Sequence, residues 1–150
     1  MVNVSQESIF PADRTKLWKV LESHFNDNVI GKIHPFIISS KRINKEEDLN
    51  ALVFERTIRN FGRTFGATTK YQIAPMEMFR WEVTASTGGV APGGWIENKY
   101  SDAGEGKTKV VTNGKLDLRG VPGFLQGWLV RRTLGQWDDQ DLRYLSMTQT

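Results

Sequence analysis

The spacing of hydrophobic positions changes twice along this chain, and the changes outline its elements. Residues 2–10 alternate, with Val2, Val4 and then Ile9 or Phe10 on one side, and Pro11 and Asp13 supply a break followed by helix-start chemistry. A strand therefore runs into a helix over residues 13–25. Leu17, Trp18, Leu21 and Phe25 recur there every three or four positions, which buries one face. Residues 26–35 form a loop or a short second helix, limited by Gly31 and Pro35. From residue 37 to residue 118 the period falls to two, the mark of successive strands. Gly120, Pro122 and Gly123 then break the chain before a long final helix over 121–145. The order is strand, helix, antiparallel meander and closing helix, an α+β container.

Register can be read at one hairpin. With Phe61-Gly62 as a two-residue turn, Leu52 lies opposite Tyr71, Phe54 opposite Thr69, Arg56 opposite Ala67 and Ile58 opposite Phe65. The large apolar groups then share one face. In the strand expected over 76–85, Phe79, Trp81, Val83 and Ala85 join that face if the connection is a three-residue loop at 74–76. Residues 86–94, STGGVAPGG, offer little to pack and are expected to be a mobile loop. The last two strands are expected over 95–100 and 107–118.

Composition narrows the function. A chain of 150 residues fits one domain, and no apolar run approaches the roughly 18 residues of a membrane span. MVNVSQESIF lacks the pattern of a secretory signal, so a cytoplasmic location is expected and the sequon Asn3-Val4-Ser5 is read as chance. The absence of cysteine removes disulfides, thiolate metal sites and a cysteine nucleophile. A formal charge of +3 is mild, and Asp138, Asp139 and Asp141 follow Arg131 and Arg132 closely, which argues against a nucleic-acid footprint.

The opening SIFPADRTKLWKVL, then His34-Pro35, the strand holding Phe54-Glu55-Arg56, Gly62, the TKYQIAPMEMFRWEV hairpin and the closing helix come in an order that resembles the START/Bet v 1-like superfamily. This is the helix-grip group of polyketide cyclase/dehydrase and lipid-transport type. The resemblance covers nearly the whole chain and lies in architecture more than in any single motif. It implies a curved, seven-stranded antiparallel sheet wrapped around the C-terminal helix, with an internal cavity. It also implies binding or transport of a hydrophobic small molecule such as a lipid, isoprenoid, quinone or polyketide-like aromatic. The alternatives are a cyclase or dehydratase in which His34, Tyr71 or Tyr100 moves protons, and an accessory protein that docks a partner enzyme or a membrane.

Arg56 is the most informative single residue. On an apolar face opposite Ala67, its guanidinium needs a partner, and a guest carrying a carboxylate, phosphate or enolate is one candidate. Asp138 or Asp141 of the last helix is another. Tyr71, Trp81, Asn98, Tyr100 and Thr112 add aromatic walls with hydrogen-bonding tips, and Phe54, Phe65, Phe79 and Trp128 complete the expected ligand-binding set. His24 and His34, ten residues apart, make no metal-ligand spacing, so each is read as a surface or packing residue, with His34 the better general base. No metal or cofactor is expected. Phe124 and Trp128 lie near Arg131 and Arg132, which makes a transient membrane contact a candidate, although a helix start buried against the sheet is the preferred reading. Gly127 and Gly135 each cost the final helix about 1 kcal/mol relative to alanine, which suggests close packing or room for a guest.

Overall fold

A computed structural model describes residues 1–44, 51–60 and 62–148. The elements in chain order are β1 (Val2–Phe10), α1 (Arg14–Ser23), α2 (Ile30–Ile33), β2 (Ile37–Arg42), β3 (Leu52–Asn60), β4 (Arg63–Ala74), β5 (Met78–Ser86), β6 (Trp95–Asp102), β7 (Thr108–Leu116) and α3 (Gly123–Thr148). The strands form one seven-stranded sheet in the order β1-β7-β6-β5-β4-β3-β2, antiparallel throughout. Chain neighbours from β2 to β7 are sheet neighbours, and β1 closes against β7.

Local chemistry explains the boundaries. Asp13 caps α1 by accepting from the Lys16 amide at 2.9 Å, and the helix buries Leu17, Trp18, Val20 and Leu21. Its regular part ends at Ser23, two residues short of the expected end, and Phe25 still packs against the core from beyond it. The turn before α3 is tied down by the buried Gln126. Its side-chain amide donates to the Leu118 and Val121 carbonyls at 3.3 and 3.1 Å, and its oxygen accepts from the Leu118 amide at 3.3 Å. At Gly114 an added Cβ would collide with the Trp95 carbonyl oxygen, so close approach of β6 demands glycine there.

The register of β3 on β4 is the one read from the alternation, from Leu52 opposite Tyr71 to Ile58 opposite Phe65. Gly62 takes the left-handed conformation in that turn, at φ 74°, while Phe61 lies outside the described residues. The next connection comes one residue later than expected. Ala74 pairs with Met78, so the loop is 75–77 and Tyr71 faces Trp81. The parity survives, and Phe79, Trp81 and Val83 are buried. Ala85 does not join them: a bulge between Thr68 and Thr69 sets Ala85 opposite Thr68 and turns it to solvent.

The glycine-rich segment 86–94 is held more firmly than its composition suggests. Ser86 Oγ donates to the Val90 carbonyl at 2.7 Å, the Ala91 amide to Asp117 at 2.7 Å, and the Arg119 amide to Gly89 at 2.8 Å. Gly89, at φ 68°, lets the Phe65 ring lie where a Cβ would meet it at 2.6 Å. A packed rim therefore replaces the expected mobile loop.

Candidate functional site

Between the concave face of the sheet, the α1–α2 segment and α3 lies a cavity of about 680 Å³. The inward parity of β3 to β7 supplies one wall, and eight of the ten residues expected to bind a ligand line it: Arg56, Phe65, Tyr71, Phe79, Trp81, Asn98, Tyr100 and Thr112. Two do not. Phe54 is 0 % exposed and sits in the core, beside Phe25 at 5.9 Å and Tyr71 at 5.6 Å between ring centres. Trp128 is 51 % exposed on the outer side of α3, with Arg132 over its ring at 5.3 Å. Phe124, 85 % exposed, lies outside as well, which corrects the reading that this helix start packs against the sheet.

The face that α3 turns inward is polar in part. Its buried residues are Gln126, Val130, Leu134, Asp141 and Leu145, and Trp137 stands partly buried beside them. Trp137 stacks on Phe36 at 5.7 Å and meets Trp81 at 5.6 Å, bridging α3 to the sheet across the cavity wall. Neither Gly127 nor Gly135 is placed there for close packing on the sheet. An added Cβ meets only Arg131 side-chain atoms at Gly127 and nothing within 4 Å at Gly135.

Arg56 is 6 % exposed, and its guanidinium is held by neutral acceptors. Nε donates to Ser40 Oγ at 3.1 Å, one terminal nitrogen to the His24 carbonyl at 2.6 Å and the other to the Tyr71 hydroxyl. The Phe54 and Tyr71 rings lie 4.7 and 5.2 Å from its central carbon. Among the described residues no carboxylate forms an ion pair with it, so the expected alternative partners Asp138 and Asp141 are not its counterions. Three of its five N–H groups are thus committed, and the guanidinium lines a cavity whose walls are largely but not wholly apolar.

The main departure from the sequence reading concerns the histidines. His24 at the end of α1, half-buried, and His34 after α2, buried, lie side by side with their Nε2 atoms 3.4 Å apart, and both reach Asp141 on α3. His24 Nε2 lies 2.7 Å and His34 Nε2 3.1 Å from Asp141 Oδ1, while His34 Nδ1 sits 2.5 Å from Gln140 Oε1. They are neither surface residues nor separate packing residues. Burial lowers the His24 pKa against the opposing pull of Asp141, which favours a neutral ring. Burial pushes the Asp141 carboxyl up, but its close contacts with His24 and His34 outweigh this and hold the group below the usual carboxylate range. Tyr100 is driven the other way. Burial, then Asp141 and Asp138, raise its hydroxyl well above 10.0 and keep it protonated. All four residues line the cavity, as does Asp138.

No protein-family model and no curated protein sequence matches the chain. Its fold, however, is that of the START/Bet v 1-like helix-grip proteins. The structure superposes on Ara h 8.0201 with a TM-score of 0.76 at 17 % identity, covering 98 % of this chain and 99 % of the other. A START superfamily protein from Mycobacterium smegmatis gives a TM-score of 0.76 at 13 % identity, with 97 % of each chain covered. ZhuI aromatase/cyclase from Streptomyces sp. R1128 gives 0.70 at 12 % identity, covering 96 % of this chain and 90 % of that one.

Proposed function

We propose that this protein binds a hydrophobic small molecule with an acidic or enolate group, and holds or carries it inside the cavity. The observation that supports this most is Arg56: a buried guanidinium with neutral protein partners, facing about 680 Å³ of largely apolar space. Burying an unpaired charge is costly, and an anionic guest would offset that cost through a two-pronged hydrogen bond. Phe65, Phe79, Trp81 and Trp137 would hold the apolar body, and Asn98, Thr112 and Tyr71 its polar tips. Lipids, isoprenoids, quinones and polyketide-like aromatics all fit this description. The fold shared with a START superfamily protein and an aromatase/cyclase is in keeping with it. In this reading residues 1–150 act as a single cytoplasmic domain.

The test is native mass spectrometry on freshly purified protein, followed by solvent extraction of whatever leaves on unfolding. A stoichiometric adduct with an acidic head supports the reading. A protein that stays apo after incubation with a panel of apolar acids counts against it.

A second reading, a cyclase or dehydratase, is favoured by one feature: two imidazoles, a carboxylate and the Tyr100 hydroxyl open onto the same cavity. Turnover of a polyketide-like substrate that collapses in His34→Gln while binding persists would select it. Phe124 and Trp128, exposed beside Arg131 and Arg132, also support a transient contact with an anionic membrane during loading. Co-sedimentation with phosphatidylserine vesicles that is lost in Trp128→Ala tests that contact.

A further inference from the structure

We propose that His24, His34 and Asp141 form a binding site for a divalent first-row transition ion of the zinc or iron(II) kind, with its open coordination positions facing the cavity. The three are the single group of metal-ligand side chains that converges among the described residues. Their donor atoms, two Nε2 and Oδ1, form a triangle with edges of 2.7, 3.1 and 3.4 Å. A triangle of that size has a circumscribed radius of about 1.8 Å, so a point about 1.1 Å off its plane lies about 2.1 Å from every corner, the usual bond length from zinc to imidazole nitrogen or carboxylate oxygen. By distance, the three donors already stand where bonds of that length to one ion can form.

The hydrogen-bond geometry points the same way. Gln140 Oε1 accepts from His34 Nδ1 at 2.5 Å, which leaves a neutral His34 with only a lone pair at Nε2. That lone pair faces the Asp141 carboxylate oxygen at 3.1 Å. Two electron pairs at this distance repel unless a proton or a metal ion lies between them. A carbonyl that holds the far nitrogen of a ligating imidazole is also the usual means of orienting it toward a metal. Two imidazoles and one carboxylate form a donor set that first-row divalent ions accept while keeping positions free. The charge of Arg56, which bonds the His24 carbonyl, opposes a cation, whereas Asp138, one turn before Asp141 on the cavity wall, favours one. The site is independent of the identity of any guest, and a bound ion would give a guest's oxygen or nitrogen a second anchor in the same cavity as Arg56.

The experiment uses the full chain, freed of metal with EDTA and then titrated with Zn²⁺ and, separately, Co²⁺. Because the sequence has two histidines, imidazole ¹⁵N spectra contain just two rings and report on both proposed ligands without mutation. One zinc per chain by equilibrium dialysis, with both Nε2 signals shifted together and affinity reduced at least tenfold in His24→Gln and in Asp141→Asn, is the expected result. Co²⁺ should give visible absorption bands typical of a mixed nitrogen and oxygen set. Absence of binding, with His34 doubly protonated at neutral pH in the wild type, would overturn the proposal by assigning the gap to a proton. Binding that leaves either ring unshifted, or that survives Asp141→Asn unchanged, would overturn it too.

Discussion

Replacing Arg56 with methionine separates the charge of the cavity from its shape. Arg56→Met keeps a long, flexible side chain at a position 6 % exposed and removes the guanidinium that faces the cavity. Each hydrogen bond to a charged group contributes about 1.5–3 kcal/mol. Losing one such contact to a guest's acid group therefore lowers affinity by about 10- to 100-fold at 1.4 kcal/mol per tenfold. A guest with the same apolar body and an alcohol in place of the acid lacks that contact, so its affinity should change less than threefold. The assay is displacement of a fluorescent apolar probe by a matched acid and alcohol, in wild type and variant. The substitution also unpairs the His24 carbonyl and the Tyr71 hydroxyl, at a cost to stability of about 1 kcal/mol or more apiece. Both proteins must therefore be shown by near-UV circular dichroism to be folded at the assay temperature. An equal loss for acid and alcohol would refute the electrostatic role of Arg56 and leave it a purely structural residue.

Further predictions follow from packing and charge. Phe54→Ala, at a site with no exposure, should lower unfolding free energy in urea by about 3–5 kcal/mol, whereas Phe65→Ala, half-buried on the cavity wall, should cost less than half as much. Gly135→Ala should stabilise the protein by up to about 1 kcal/mol in the same assay, since an added Cβ meets nothing within 4 Å and the helix gains propensity. Burial, with Asp141 and Asp139 nearby, raises the Asp138 carboxyl from 3.8 to about 7, against the opposing effect of His34. The folded state then binds this proton more tightly than the unfolded chain, so the stability it contributes is present below pH 3.8 and is lost as pH rises through about 7. Asp138→Asn should accordingly gain in Tm relative to wild type between pH 5 and pH 8 by about a few degrees, and a flat difference would show that Asp138 is not perturbed.

Much of the sheet was legible because alternation is a local signal. Once Gly62 marks a turn, every partner from Leu52 to Ile58 follows, and Arg56 must face inward with Tyr71 and Phe65. Parity assigns a face but not a depth, which is why Phe54, covered by Phe25, looked equivalent to Phe65. Bulges are also invisible to it, so Ala85 was assigned inward although the extra residue at Thr84 turns it out. The last helix misled for a different reason. Its inward face carries Gln126 and Asp141, polar residues that earn burial through hydrogen bonds made only in the folded chain, while Phe124 and Trp128 are apolar and exposed. Read by hydrophobicity, the phase of the helix start comes out reversed. The His24–His34–Asp141 cluster had no local signature, since Asp141 lies 117 residues from His24 in sequence and meets the two histidines only when α3 closes over the α1–α2 segment. Its traces in the sequence were separate ones, His34 as a candidate general base and Asp141 as a candidate partner for Arg56, with nothing to join them.

The most direct test of a guest inside the cavity uses the indole N–H signals of the protein. Of the five tryptophans, Trp81 and Trp137 line the cavity and Trp128 stands in solvent. In a ¹H–¹⁵N titration with an apolar acid that the protein binds, the Trp81 and Trp137 signals should move together and saturate at one equivalent while Trp128 stays in place. Movement of Trp128 with Trp81 and Trp137 unchanged would put the ligand on the outer surface and contradict the account.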